Sequence, residues 1–226
     1  MAALDPLPTS GCSGRKLPMS TDQDTVRCYN LAAADYAAEA ARMPDWVAAE
    51  LDAFASDLGP GSRVLEIGSG GGRDAPVLME SGISVRLTDV AQGFVELLRK
   101  NGFDADQLDP LTDDLDDPVR PGVPYDGIWA CASLIHVARK DLQPVLCKLG
   151  AATRRGGRLH VSVRDGDGES VSAHGDSAHG QRYVETYWRE PSLRSTVTAA
   201  GWTIADVCRY EGRPNDWWLS IRAHRS

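Results

Sequence analysis

The order of apolar and polar stretches along the chain predicts an α/β domain that begins with two helices. An alanine-rich stretch at 26–42 and an amphipathic one at 45–58 predict these helices, with Pro44 between them. Short apolar runs then alternate with helical patterns. We predict strands at 63–67, 84–88, 104–108, 125–131, 158–164, 202–210 and 216–223, and helices ending at 80 and spanning 91–100, 140–153 and 191–200. The pattern favours a doubly wound, mostly parallel sheet of seven strands with an antiparallel last strand and an N-terminal helical cap.

Two stretches break the pattern. Residues 1–22 contain prolines and glycines with few apolar side chains, which predicts a disordered leader before one domain at 23–226. Residues 165–180 are rich in glycine, serine, aspartate and histidine, which predicts a mobile loop. Because this loop follows a strand, we expect it on the ligand side of the sheet, where it could act as a lid.

Composition limits the classes of partner. The 226 residues suit one domain, and the net charge of −8 argues against nucleic acid or an anionic membrane as a partner. The five cysteines contain no C-x-x-C pair, which favours reduced thiols in a cytoplasmic protein. No secretory signal and no apolar run of about 18 residues is seen. His174 and His179 have no third ligand nearby, so we predict no metal site. The oligomeric state stays open.

A glycine-rich turn at 66–72, Glu-Ile-Gly-Ser-Gly-Gly-Gly, joins the first predicted strand of the sheet to its helix. Glycines there let a ligand approach the backbone, and the following helix directs free N–H groups toward it. About twenty residues later the second strand ends at Asp89, whose carboxylate can accept hydrogen bonds from ribose hydroxyls. This order of strand, turn, helix, strand and acid predicts a nucleoside site.

Two residues indicate which nucleoside is bound. A dinucleotide fingerprint needs a last glycine where this chain has Arg73, and Glu66 would repel a pyrophosphate. A sulfonium cofactor has no phosphate and carries positive charge, so an acid at this place is acceptable. The residues therefore favour a sulfonium nucleoside over a dinucleotide.

On these motifs the chain, from about Tyr29 to its C-terminus, resembles the class I S-adenosylmethionine-dependent methyltransferases, and Gly71-Gly72-Arg73-Asp74 resembles a bacterial small-molecule subgroup. The resemblance implies a Rossmann-like fold and S-adenosylmethionine as the cofactor. One departure is Arg155, where many members have a proline. The cofactor-binding residues that the resemblance and the motifs imply are Tyr36, Glu66, Gly68, Ser69, Gly70, Arg73, Asp89, Val90, Asp109, Pro110, Leu111, Ala130 and Ser133.

The sequence gives fewer signals for the residues that would contact the methyl acceptor. His136, just beyond the fourth strand, is the candidate general base, although it could instead pack against the cofactor or cap the next segment. The candidate substrate residues, each with packing or a surface ion pair as the alternative, are Tyr29, Arg164, Tyr187 and Trp188. We expect a small-molecule acceptor, with a peptide as a further possibility, and the acceptor atom stays open.

Three function classes follow. The first is a methyltransferase that acts on a small molecule. The second is a non-catalytic nucleoside-binding module, which a turnover assay separates from the first. The third is an NAD(P)-dependent oxidoreductase, against which the missing third glycine and the lack of a Tyr-x-x-x-Lys pair both argue.

Overall fold

The computed structural model describes residues 21–173 and 182–226. Its helices are α1 Gln23–Glu39, α2 Asp45–Leu58, α3 Ala75–Glu80, α4 Gln92–Lys100, α5 Arg139–Ala152 and α6 Glu190–Ala199. Its strands are β1 Arg63–Ile67, β2 Ser84–Asp89, β3 Ala105–Gln107, β4 Tyr125–Cys131, β5 Thr153–Asp165, β6 Glu169–Ala173, β7 Arg182–Trp188, β8 Trp202–Glu211 and β9 Trp217–Arg225. Every predicted element is present.

The sheet has the doubly wound order that the alternation predicts. The strands run β3-β2-β1-β4-β5, all parallel, and β9 then pairs antiparallel with both β5 and β8. The mostly parallel fold with an antiparallel C-terminal strand is confirmed. The chain order reverses at β1, where β2 lies on one side and β4 on the other. In open α/β sheets this switch point is where ligands bind.

The central strands β1 and β4 are largely buried because helices cover both faces of the sheet. All five residues of β1 are buried. Val64 packs with Val47 and Phe54 of α2 on one face. Leu65 packs on the other face, in the large cluster that includes Leu146 of α5. This rigid core holds the loops at the carboxyl ends of β1, β2 and β4 in place.

The prediction of a loop across 165–180 is wrong for its first part. Strand β5 extends to Asp165, and β6 pairs antiparallel with β7, which in turn pairs with the end of β5. Across the described residues, these two strands raise the total from the predicted seven to nine. The polar, glycine-rich composition of this segment gives no strand signal. Residues 169–173 form a strand because they pair with β7, which follows later in the chain. The rest of the predicted loop, including His174 and His179, lies outside the described residues.

The first helix is capped by Asp22, whose carboxylate accepts a hydrogen bond from Thr25 N at 2.9 Å. Of the predicted leader, residues 1–20 lie outside the described part. Thr21 is buried rather than disordered, since it is held by Asp109. Within 21–173 and 182–226, no helix combines the length and apolar character needed to cross a bilayer.

Candidate active site

A cavity of about 290 Å³ lies at the carboxyl ends of β1, β2 and β4, at the switch point of the sheet. The glycine turn after β1 forms its floor, and α1 closes one side with Thr25, Tyr29 and Tyr36. The volume is at the low end of the roughly 300–1,000 Å³ typical of small-molecule sites. The position and size of the cavity indicate a site for small ligands.

The glycine turn leaves space above its backbone. Gly70 has a φ of +53°, and a Cβ built on it would meet no atom within 4 Å. Gly68 is glycine for a different reason, because a Cβ there would come within 2.4 Å of Ser133 Cβ. The close approach brings Ser133 to the cavity wall, where its buried Oγ has no hydrogen-bond partner among the described residues. The turn therefore presents open backbone and an unsatisfied hydroxyl to a ligand.

Asp89 ends β2 and lines the cavity beside the turn. Its Oδ2 accepts a hydrogen bond from Gly70 N at 3.0 Å, and its Oδ1 accepts one from Ala91 N at 2.8 Å. Burial raises the pKa of Asp89 to about 6, and these backbone donors oppose the rise. Each oxygen keeps further lone-pair capacity, so the carboxylate is positioned to accept a pair of hydroxyl groups.

Glu66, at the end of β1, is buried against the cavity. Its Oε2 accepts a 2.7 Å hydrogen bond from Ser69 Oγ. Burial, and after it the charge of Asp74, raises the pKa of Glu66 to about 8. An acid held this way is ready to ionise when a cation binds nearby.

Asp74 organises the wall beside Glu66. Its Oδ1 accepts a 2.6 Å bond from Arg73 Nε, and its Oδ2 accepts a 2.9 Å bond from Trp129 Nε1. Arg73 also directs its Nη2 toward Cys131 Sγ at 3.8 Å. Since the Arg73 side chain is 25% exposed, its guanidinium keeps access to the cavity and can hold an anionic group.

The opposite end of the cavity is aromatic and contains His136. Its Nδ1 lies 2.6 Å from the carbonyl oxygen of Val184, and its Nε2 lies 2.9 Å from the hydroxyl of Tyr29. Tyr29 in turn packs against the rings of Tyr36 and Phe94. Burial lowers the pKa of His136 below its usual 6.5. The imidazole is therefore neutral at pH 7, which is the form that a general base requires.

Most predicted site residues converge on this cavity. Its lining includes Tyr29, Tyr36, Glu66, Gly68, Ser69, Gly70, Arg73, Asp89, Val90, Pro110, Ser133 and His136. Their roles stay predictions, but their convergence is a property of the fold.

Three predicted cofactor residues lie outside the lining. Leu111 and Ala130 are core residues. The carboxylate of Asp109 accepts hydrogen bonds from Thr21 N at 2.8 Å and from Thr21 Oγ1 at 3.0 Å. Asp109 therefore anchors the segment that leads into α1, the helix that lines one side of the cavity.

The other predicted substrate residues also lie outside the lining. Arg164 is paired with Glu185 and Asp216 and lies over the Trp218 ring, with its guanidinium carbon 4.4 Å from the ring centroid. The Tyr187 hydroxyl donates to Glu185 at 3.4 Å. Trp188 is buried in the core beneath the guanidinium of Arg139. In the structure, these three residues make the packing and ion-pair contacts that were the alternatives to a substrate-binding role.

Sequence reasoning missed several lining residues, among them Thr25, Asp74 and Phe94. Asp74 had a signal, because it completes the Gly-Gly-Arg-Asp run. Thr25 and Phe94 carry no local signal. They reach the cavity only because α1 packs across α4, a contact in which Asn30 Oδ1 accepts a 2.8 Å bond from Gly93 N.

Comparison with known proteins adds to this geometry. A family profile described as a methyltransferase domain matches residues 65–159. No curated protein is significantly similar to the chain.

Many solved structures share the fold. The [4+2]-cyclase SpnF is similar with a TM-score of 0.67 at 17% identity, over 96% of this chain and 99% of that one. A 1,6-didemethyltoxoflavin-N1-methyltransferase from Burkholderia thailandensis, crystallised with 1,6-didemethyltoxoflavin and S-adenosylhomocysteine, has a TM-score of 0.58 at 22% identity, over 94% and 93%. An S-adenosylmethionine-dependent methyltransferase from Mesorhizobium loti has a TM-score of 0.61 at 16% identity, over 78% and 96%.

Proposed function

We propose that this chain, whose residues 65–159 match a methyltransferase domain, is a class I S-adenosylmethionine-dependent methyltransferase that transfers the methyl group to a small-molecule acceptor. The observation that carries the proposal is the arrangement of one small cavity. Its floor has the glycine turn with Asp89 and Glu66, and its far end has the aromatic group around His136. Cofactor and acceptor would thus share one cavity.

The residues on the floor fit the cofactor. The open backbone at Gly70 accepts a ligand at close range, and the unsatisfied Oγ of Ser133 needs a polar partner. Asp89 can accept both ribose hydroxyls. Glu66 suits a ligand that carries positive charge, and the guanidinium of Arg73 suits a carboxylate. This donor and acceptor set matches S-adenosylmethionine.

The protein's own contribution to the reaction is positioning, exclusion of water and the handling of one proton. When bound, S-adenosylmethionine supplies an electrophilic methyl group on a sulfonium. Alignment of an acceptor with such a group can contribute about 7–11 kcal/mol. The rings of Tyr29, Tyr36 and Phe94 pack together beside the cavity and limit the access of water. His136, neutral at pH 7, is placed to take a proton from the acceptor side.

A small acceptor is favoured by size and by charge. Helix α1 covers the cavity, and its contact to Val184 N through Thr25 Oγ1, at 3.0 Å, ties it to β7. A polymer would need this cover to open, and a nucleic acid would meet a chain of net charge −8. A cytoplasmic location remains part of the proposal, on the ground that the five cysteines of the sequence include no C-x-x-C pair.

A turnover assay tests the proposal. The purified protein is incubated with S-adenosylmethionine and a panel of small hydroxy, amino and heteroaromatic compounds, and S-adenosylhomocysteine and methylated products are followed by mass spectrometry. We expect methylated product that requires both the protein and the cofactor. Calorimetry with S-adenosylmethionine and with NAD runs beside it. Binding of the cofactor without turnover of any small molecule would favour a nucleoside-binding module, and binding of NAD instead would favour an oxidoreductase.

Binding of the cofactor at pH 7 should release protons through Glu66. The free protein holds this carboxyl largely protonated, because its pKa is about 8. A positively charged ligand favours the carboxylate, so the pKa falls on binding and up to one proton leaves. Calorimetry in two buffers with different ionisation enthalpies measures this release.

Two variants interpret the calorimetry. Glu66→Gln should lose most of the buffer dependence and keep only the small release from Asp89, whereas Glu80→Gln, at an exposed acid on α3, should behave as wild type. Equal binding enthalpies for the wild-type protein in both buffers would refute the role of Glu66.

A further inference from the structure

The hydrogen bonds of His136 determine which nitrogen carries its proton. The carbonyl oxygen of Val184 can only accept, so Nδ1, 2.6 Å away, must be the N–H. The neutral imidazole then has its lone pair on Nε2, and the hydroxyl of Tyr29 must donate to it across 2.9 Å. The base therefore has its accepting nitrogen already engaged by Tyr29.

This geometry leaves the oxygen of Tyr29 as an acceptor. Once its hydrogen is directed to Nε2, both lone pairs of that oxygen are available to another donor. Tyr29 and His136 both line the cavity. An acceptor molecule that approaches Nε2 of His136 therefore meets the hydroxyl of Tyr29 first.

We propose that Tyr29 is the residue that contacts the acceptor and passes its proton to His136, so that the acceptor is a molecule that loses a proton from an O–H or N–H group. The inference rests on the proposed function, since it concerns the same cavity. It adds a catalytic residue and a substrate class. His136 acts through Tyr29 and is a positioning and proton-storing residue.

The step balances with groups that are present. The acceptor oxygen or nitrogen bonds to the methyl carbon, and the sulfur–methyl bond breaks with its electron pair left on sulfur. The acceptor proton moves to Tyr29 Oη as the tyrosine's own proton moves to His136 Nε2. His136 becomes an imidazolium, whose Nδ1–H still donates to Val184, and later releases one proton to solvent. Tyrosine is regenerated without becoming a free phenolate.

The surroundings suit a tyrosine that relays a proton without ionising. Burial, and then the neighbouring Tyr36, Tyr183 and Glu185, raises the pKa of Tyr29. Glu185 on β7 favours the imidazolium of His136, while burial and Arg164 on β5 oppose it. Cys28, which precedes Tyr29 on α1, also raises the tyrosine pKa.

A first test needs no turnover. With ¹⁵N-labelled histidine, and His136→Gln to assign the signals, we expect His136 at pH 7 with its proton on Nδ1 and none on Nε2. Tyr29→Phe keeps the ring but removes the hydroxyl, so it should shift the Nε2 resonance. Tyr183→Phe, whose ring lies 5.9 Å from that of His136 and outside the cavity lining, should leave it nearly unchanged. A proton on Nε2, or no shift in Tyr29→Phe, would overturn the relay.

A second test measures the acceptor contact with simple probes. In the presence of S-adenosylhomocysteine, the wild-type protein should bind phenol at least about tenfold more tightly than anisole, which has no proton to donate. Tyr29→Phe should lose this preference and retain its affinity for S-adenosylhomocysteine. A wild-type protein without the preference would contradict the assignment of Tyr29.

Kinetics complete the test on whichever O–H or N–H acceptor the panel yields. Tyr29→Phe and His136→Gln should each lower kcat about 100-fold with little change in the KM for S-adenosylmethionine, and remove the acid limb of the pH–rate profile. The double variant should be no slower than either single one, because the two residues act in series. Additive losses would contradict the relay. Absence of any turnover would count against the proposed function, while the two binding tests still decide the inference.

Discussion

Replacement of Gly70 by valine should remove measurable binding of S-adenosylmethionine, a loss of more than about 1,000-fold. A Cβ at this position enters the open space of the cavity, and the valine methyl groups extend further into it. That space is where the cofactor must approach the backbone. Calorimetry on the purified variant measures the loss. Affinity within tenfold of wild type would show that the turn does not contact the ligand.

A matched control separates steric exclusion from strain. Gly102, after the end of α4, also has a positive φ, +88°, and a Cβ there would likewise meet nothing within 4 Å. It does not line the cavity. Both valine variants should lose a similar stability, about 1–2 kcal/mol, from the left-handed backbone. Gly102→Val should nevertheless bind the cofactor as wild type does, and thermal unfolding of the two proteins checks the comparison.

Asp89→Ala should weaken S-adenosylmethionine binding by at least about 100-fold. Two hydrogen bonds to a charged group are lost, each worth about 1.5–3 kcal/mol. The fold should survive, since Gly70, whose N–H loses its partner, lines a cavity that water can enter. Asp104→Ala removes an exposed acid just before β3 and should leave affinity unchanged. A folded Asp89→Ala protein with wild-type affinity would end the ribose assignment.

The same carboxyl predicts how affinity changes with pH. The pKa of Asp89 in the free protein is about 6, and the ionised form is the one that accepts both hydroxyls. Affinity should therefore fall as pH drops through 6, by up to tenfold per pH unit, and be nearly constant above 7 as far as this group is concerned. Asp89→Asn should flatten this dependence. Calorimetric titrations between pH 5 and 8 measure it.

For Asp89, the effect of pH on folding stability should be opposite in sign to its effect on cofactor affinity. The folded-state pKa of Asp89 lies above the ordinary value of 3.8, so the folded protein binds this proton more tightly than the unfolded chain. Its contribution therefore becomes less favourable as pH rises from about 4 to 6. The buried carboxylate is kept for binding at a cost to folding, and a bound cofactor offsets that cost.

Local sequence patterns were sufficient to predict the framework of the fold and the residues on the floor of the cavity. The alternation of strands and helices is periodic, and β1 and β4 begin and end where the pattern predicts. The glycine turn and Asp89 follow adjacent parallel strands, whose carboxyl ends meet at one edge of the sheet. Their proximity follows from topology, so spacing along the sequence was sufficient to predict it.

Only the tertiary structure decided the acceptor end and the true extent of the sheet. Tyr29 and His136 are 107 residues apart, and Thr21 and Asp109 are 88 apart, so no local pattern reports their pairing. Strand β6 was missed because its hydrogen bonds, and not its composition, make it a strand. Asp109 and Arg164 have the residue types of a binding site, yet packing directs them to Thr21 and Asp216 instead. Residue type limits what a side chain can do, but its partners are chosen by contacts between distant segments, which exist only once the chain has folded.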